Sequence, residues 1–178
     1  MHGAQVMEAL KGAKATASSG IDEIPMSVLK RVGPMIIDEI VDLTNKIIEE
    51  CKWPEQWKFA EIKPIWKKKG NRKNPKFYRP VALLPAIARL VERILAQQIK
   101  KHLKEKGVLP KFQHGFRAEH SPESAITELI TQIAKARDQS LIALVATLDL
   151  AGAFDTIDHG MLCEKLEKFA VSRGEYWH

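Results

Sequence analysis

The chain has 178 residues, enough for one ordinary domain, and its 45% apolar and 28% charged composition is that of a chain able to bury a core in water. Lysine and arginine outnumber aspartate and glutamate by 28 to 22, giving a net charge of +6 and a pI near 9.3, a balance that suits a polyanionic partner without requiring one. Two distant cysteines, Cys51 and Cys163, argue against a disulfide framework, the start Met1-His2-Gly3-Ala4 has no signal-peptide pattern, and no apolar run is long enough to span a membrane, so an intracellular, soluble chain with no membrane partner is expected.

The first predicted element is a short helix over residues 6–14, with Val6, Ala9, Leu10 and Ala13 on one face. Residues 16–20 break it, and residues 21–25 form a turn-rich connector to a second helical region. Gly33-Pro34 interrupts that region, and Pro34 suits the first turn of the next helix. Ile36, Ile37, Ile40, Val41, Leu43, Ile47 and Ile48 give this helix a strong apolar stripe, on which Cys51 is expected as a buried thiol, and Trp53-Pro54 stops it. Residues 60–66 alternate as a strand whose Pro64 argues for an edge or a bulge. A basic loop over 67–76 and a return strand over 78–84 complete a hairpin.

A long helix is predicted over 85–106, with Ile87, Leu90, Val91, Ile94, Ile99 and Leu103 as its apolar face and Gly107 as its stop. The next begins with Ser121 as N-cap, Pro122 at the first helical position and Glu123 in the first turn, and Ala125, Ile126, Leu129, Ile130 and Ile133 are expected to face inward. Residues 141–148 are a continuous apolar run that reads as a strand covered on both faces, and a last helix is expected over 160–169. The fold class is α+β, mostly helical with a few strands, and no repeat or low-complexity tract occurs.

Three segments could carry chemistry. Asp149 ends the apolar run and is followed by Leu150-Ala151-Gly152-Ala153-Phe154-Asp155. A carboxylate at a buried strand end is costly unless a cation or donors compensate it, and it can hold Mg²⁺; equally, it can cap the following turn. Residues 58–79 hold Lys63, Lys67, Lys68, Lys69, Arg72, Lys73, Lys76 and Arg79 against one acid, Glu61. That run can neutralise phosphates or simply be a solvated loop, and its aromatics Trp57, Phe59, Trp66, Phe77 and Tyr78 can stack on bases or pack a core, the commoner role. Third, Gln113-His114-Gly115-Phe116-Arg117 offers a glycine for close approach or a positive φ and an arginine able to grip a phosphate. His102, His114, His120 and His159 make no zinc-ligand pattern, and no P-loop or dinucleotide signature is present.

The order of these segments is more specific than any one of them. Ser18-Ser19-Gly20-Ile21-Asp22-Glu23-Ile24-Pro25 is followed by Trp53-Pro54 with Trp57-Lys58, then Ile62-Lys63-Pro64-Ile65-Trp66-Lys67-Lys68 and Tyr78-Arg79-Pro80-Val81-Ala82-Leu83-Leu84-Pro85. Gln113-His114-Gly115-Phe116-Arg117 and Leu148-Asp149-Leu150-Ala151-Gly152-Ala153-Phe154-Asp155-Thr156-Ile157-Asp158-His159 complete the series. Over nearly its whole length the chain resembles the fingers and opening palm of reverse transcriptases from non-long-terminal-repeat (LINE-type) retrotransposons.

The resemblance implies a helix-rich fingers region with a β-hairpin over 1–140, and the first strand and helix of a polymerase palm over 141–178. It implies RNA-directed DNA polymerisation by two-metal nucleotidyl transfer, with Mg²⁺, an RNA template, a DNA primer and a dNTP, in a retroelement ribonucleoprotein of nucleus or cytoplasm. Asp149 corresponds to the first catalytic aspartate, with the carbonyl of Leu150 as a further metal contact. Phe154 matches the steric gate under the sugar. Arg79 and Lys67 match residues that grip the triphosphate, with Lys67, Lys68 and Lys69 interchangeable in register. Lys63, Lys68, Lys69 and Arg117 are expected against nucleic acid. Ala151 stands where the family often has Ser, and no paired-aspartate motif occurs in residues 1–178. These residues alone are therefore expected not to polymerise, and the alternative is a non-catalytic RNA- or DNA-binding remnant of a retroelement.

Overall fold

In a computed structural model, residues 1–150, 152–169 and 171 are described. They contain helices α1 (Gly3–Gly12), α2 (Met26–Val32) and α3 (Ile37–Glu50), strands β1 (Glu61–Trp66) and β2 (Tyr78–Leu83), and helices α4 (Ala86–Glu105), α5 (Pro122–Asp138) and α6 (His159–Lys168). The described residues divide into two compact units, one within residues 1–100 and one within residues 101–171.

The first unit is built on the apolar spacing of its helices. Val6, Ala9 and Leu10 of α1, Met26 and Leu29 of α2, Ile40 of α3, and Leu90 and Ile94 of α4 meet in one core. Ile47, Trp57, Ala88 and Val91 form a second cluster, with Trp53 edge-on to Trp57 at 5.4 Å. The one buried polar side chain among the described residues, Thr44, is satisfied by donating to the Ile40 carbonyl at 2.6 Å. The last turn of α1 lacks a glycine terminator and is closed by cations from elsewhere. Lys30 Nζ donates to the carbonyls of Lys11 and Ala13 at 3.0 and 2.7 Å, and Arg93 to that of Gly12 at 2.7 Å.

Cys51 departs from its expected burial. It takes φ +50° directly after α3, the position where a left-handed residue closes a helix, and Lys52 N–H returns to the Ile47 carbonyl at 3.3 Å. That turn carries Cys51 off the apolar stripe, and its thiol is exposed.

The predicted hairpin is present as an antiparallel pair with Glu61 opposite Leu83 and Trp66 opposite Tyr78. Lys67 N–H donates to the Phe77 carbonyl at 2.8 Å, so odd-numbered residues of β1 point their amides at β2 and even-numbered ones point theirs outward. Pro64 and Pro80 face each other at an outward position. Neither proline removes a ladder bond, and each deletes a donor from an open edge, which discourages a third strand.

In the second unit, Gly107 stops α4 as expected, at φ +63° with Val108 N–H returning to the Leu103 carbonyl at 3.1 Å. Helix α5 starts at Pro122 behind its Ser121 cap, whose Oγ accepts from Ser124 N–H at 3.2 Å. Two expectations fail here. Residues 141–150 are in neither helix nor strand, and Ile142, Leu144 and Leu148 are 98%, 94% and 96% exposed, so the expected first palm strand is not formed. The α5 face expected to point inward is also open, with Ile126, Leu129, Ile130 and Ile133 exposed. A strand is defined by its ladder, and a helical stripe is buried only where an element covers it. Among the described residues neither partner is present. The fold shown is thus mixed, helical with a two-stranded antiparallel sheet.

Candidate nucleic-acid and nucleotide interface

Strand parity sorts the basic residues of the hairpin. Lys63, Ile65 and Lys67 lie on one face of the first strand and its continuation, and Arg79 is directly opposite Ile65. Arg79 is therefore the diagonal neighbour of both Lys63 and Lys67, and all three side chains are exposed. Among the described residues Lys63 pairs only with Glu61, exposed and at 3.7 Å, too loose to neutralise it. Lys67 donates to the Lys76 carbonyl at 2.8 Å, which orients the ammonium while leaving its charge uncompensated. Lys68 sits beyond the last pair at φ +57°, and Lys69 lies in the tip of the loop.

The loop itself is not merely solvated. Asn71 Oδ1 accepts from Lys73 N–H at 2.9 Å and Asn74 Oδ1 from Lys76 N–H at 3.0 Å, two side-chain turns in succession. Tyr78 donates its hydroxyl hydrogen to the Arg72 carbonyl at 2.9 Å, and the Arg72 guanidinium stacks 4.4 Å over Trp66. Trp66 and Tyr78 are thus partly occupied in holding the loop, while Trp57 is in the core and Phe59 is exposed.

The support behind this hairpin was not legible as chemistry in the sequence. β2 leads through Leu84 and Pro85 into α4, and Pro85, the residue before the helix, has no side-chain oxygen to cap it. Asp22 performs that role from 64 residues away, its Oδ2 accepting from Ala86 N–H at 3.2 Å while its Oδ1 accepts from Ile24 N–H at 3.2 Å. Gly20 lies against the backbone of Leu84 and Pro85 so closely that a Cβ would be 2.5 Å from the Leu84 carbonyl carbon. Arg89 donates to the Ser18 carbonyl at 3.0 Å. The only signal for this clasp in the sequence is the Gly-x-Asp spacing, which names no partner.

In the second unit, the Gln113 to Arg117 motif and the segment after Asp149 meet through Phe116 and Phe154, edge-to-face at 6.0 Å and 85°. Gly115 has open space around it and takes no left-handed conformation. Phe116, at φ +57°, makes the turn that was expected of the glycine. Arg117 donates to the Pro110 carbonyl at 2.9 Å, and His114 Nδ1 is 2.7 Å from Ser124 Oγ, which ties the motif to the start of α5. Glu123, in the first turn of that helix, has its carboxyl held below the usual range by the Ser121 hydroxyl and by its own backbone N–H.

Asp149 and Leu150 are exposed, in the segment that forms no strand. Gly152 at φ +64° opens the turn that follows, with Asp155 and Thr156 N–H returning to its carbonyl at 2.9 and 3.2 Å. Asp158 is committed to capping α6, accepting from Met161 N–H at 2.9 Å. Among the described residues no group of three acidic, His or Cys side chains converges as a cation site. One carboxylate and one carbonyl do not compose a Mg²⁺ centre, so the donors present do not fit the metal pair that the resemblance implies. Among the described residues no helix is long and apolar enough to cross a membrane.

Comparison with known proteins agrees with the order of motifs. Residues 66–178 match the family described as "Reverse transcriptase (RNA-dependent DNA polymerase)". The "Probable RNA-directed DNA polymerase from transposon BS" of Drosophila melanogaster is 31% identical over 164 residues, 92% of this chain and 18% of that protein. The "Probable RNA-directed DNA polymerase from transposon X-element" of the same organism is 31% identical over 155 residues, 87% of this chain and 17% of that one. A "Retrovirus-related Pol polyprotein from type-1 retrotransposable element R2" of Popillia japonica is 30% identical over 107 residues, 60% of this chain and 14% of that protein. The chain spans less than a fifth of the length of these relatives. With its family match and its relatives in agreement, the chain belongs to the reverse transcriptases, among the polymerases of non-long-terminal-repeat (LINE-type) retrotransposons.

Proposed function

We propose that the hairpin face bearing Lys63, Lys67 and Arg79 binds phosphates, of the incoming nucleotide or of the nucleic-acid backbone, within an RNA-directed DNA polymerase that takes an RNA template, a DNA primer and dNTPs. The observation that carries the proposal is the strand register, which sets Arg79 diagonally between two lysines on one exposed face. Three cations at that spacing match the charge of a polyphosphate, and Arg79 can offer a two-pronged grip that a lysine cannot. The register favours Lys67 as the partner of Arg79, because Lys67 still bonds to Phe77 across the ladder while Lys68 and Lys69 lie past the paired strands, Lys68 at φ +57°. Lys68 and Lys69, nearer the loop tip, are assigned to nucleic acid, as is Arg117.

In this reading residues 1–140 are fingers and 141–178 the opening of the palm. Phe154 is the steric gate, and Asp149 with Leu150 is the part of a metal site that this chain contributes. Because the remaining carboxylates are not among these residues, the reading favoured for the chain taken alone is binding without polymerisation.

Titration of single-stranded RNA affinity against salt tests the proposal. Each phosphate neutralised contributes a slope of about 0.7 in log K against log salt, so replacing Lys63, Lys67 and Arg79 by alanine should flatten the slope by up to about 2. No measurable affinity in the unaltered chain, or a slope insensitive to the triple substitution, removes the assignment. Primer extension with Mg²⁺ by these 178 residues alone is expected to be absent, and robust extension would overturn the non-catalytic reading.

A further inference from the structure

The geometry points to Asp22 as a positioning residue for the Arg79 hairpin, acting through the N-terminus of α4 without itself contacting nucleotide or nucleic acid. The first amides of an α-helix have no partner inside it, and α4 begins after Pro85, which supplies neither a capping oxygen nor a donor. Ala86 N–H therefore depends on the Asp22 carboxylate, 3.2 Å away. A carboxylate at that end also opposes the positive pole of a 20-residue helix.

Next comes the short connection. Only Leu84 and Pro85 separate the end of β2 from Ala86, so fixing the first turn of α4 fixes the exit of β2. Gly20 presses on those same two residues, with the space for a Cβ already filled by the Leu84 carbonyl group and the Pro85 nitrogen. Arg89, one turn into α4, holds the Ser18 carbonyl at 3.0 Å, and Asp22's second oxygen holds Ile24 N–H at 3.2 Å. The segment from Ser18 to Ile24 is thus fastened to α4 and to the chain entering it at several points. Arg79 lies four residues before Leu83, where β2 ends, so any rocking of β2 about its exit moves the guanidinium relative to Lys63 and Lys67.

Amide hydrogen exchange, read residue by residue by NMR, tests the inference. Asp22→Ala should speed exchange about tenfold at Ala86 and also at Arg79, Val81 and Leu83, the inward-pointing amides of β2. Asp22→Asn keeps one oxygen acceptor, which can serve Ala86 while its amide group replaces the oxygen facing Ile24, so it should recover part of the protection, with exchange between that of the unaltered chain and that of Asp22→Ala. If the alanine variant does not fold, Asp22→Ser replaces it, because its hydroxyl can still accept from Ile24 but is too short to reach Ala86. Faster exchange confined to Ala86, or an asparagine variant no better than alanine, would falsify the inference.

A second arm rests on the phosphate-binding reading. Affinity for a short oligouridylate at low salt should fall about three- to tenfold in Asp22→Ala and recover in part in Asp22→Asn, since misplacement weakens a multi-cation contact without removing any cation. Loss of β2 protection with unchanged affinity overturns the positioning role. Absence of affinity in the unaltered chain overturns the phosphate-binding reading instead, and leaves the exchange result to decide how Asp22 acts on the hairpin.

Discussion

Gly70 shows how tightly single residues set the loop that carries the basic cluster. Its φ is +75°, and the Phe77 ring occupies the place a Cβ would take. Alanine there meets two penalties at once, left-handed strain near 1 kcal/mol and displacement of a ring packed on the hairpin. Gly70→Ala should lower stability by about 1–3 kcal/mol in urea unfolding, and an unchanged midpoint would show that the Phe77 ring does not hold the loop at Gly70. At this scale the sequence is unevenly informative. Gly107 was legible as a stop because left-handed termination is a local rule. Gly115 was not, because a glycine advertises freedom without saying whether the neighbours demand it, and Phe116 takes the turn instead. The exposure of Cys51 has a related cause: apolar spacing continues past the point where the helix has already closed.

Elements whose signals are local formed where they were expected, and α5 is the clearest. Ser121, Pro122 and Glu123 specify its start without reference to anything distant, and it forms although its apolar face is open. Such a helix depends on its cap more than a packed one does, since burial of its apolar face does not compensate. Ser121→Ala should remove about 1 kcal/mol of helix stability, seen as reduced Cα secondary shifts over the first turns of α5. The pH dependence has a definite sign. Glu123 is held below its ordinary pKa of 4.5 by Ser121, so its contribution is present above that value and is lost as pH falls through the lowered one. Helicity of α5 should therefore decline on acidification, and less so in Ser121→Ala, where the hydroxyl responsible is gone. Equal acid responses in the two proteins would mean that Ser121 does not hold the carboxylate. The hairpin was legible too, through alternation and its proline, whereas the clasp of Asp22 on α4 was not, since nothing local to either segment names the other.

At the scale of the whole molecule, burial is lopsided: among the described residues every buried apolar side chain lies between Val6 and Ile94. The candidate site follows the same division. Its cation face rides on a hairpin in the unit that has a core, while Asp149, Leu150 and Phe154 sit in the unit where no described side chain is buried. The sequence made residues 141–148 look like a covered strand because apolar content records what a segment needs to bury, and not whether a covering element is at hand. An uncovered run of this kind, beside the open Ile126, Leu129 and Ile130 face of α5, is a site for pairing between chains. A net charge of +6 opposes that association only at long range and is screened by salt. Sedimentation velocity on the purified chain should therefore show an average mass that rises with concentration and rises further with added salt. Replacing Ile142 and Leu144 by lysine should shift the distribution toward monomer, because both side chains are almost wholly exposed and contribute nothing to the fold that the substitution could damage. The same pair of substitutions should leave the salt slope of RNA binding within about one phosphate of its original value, since the proposed contact lies on the Arg79 hairpin. A chain that stays monomeric at all concentrations would show that residues 141–148 are protected in solution by a contact the described residues do not contain.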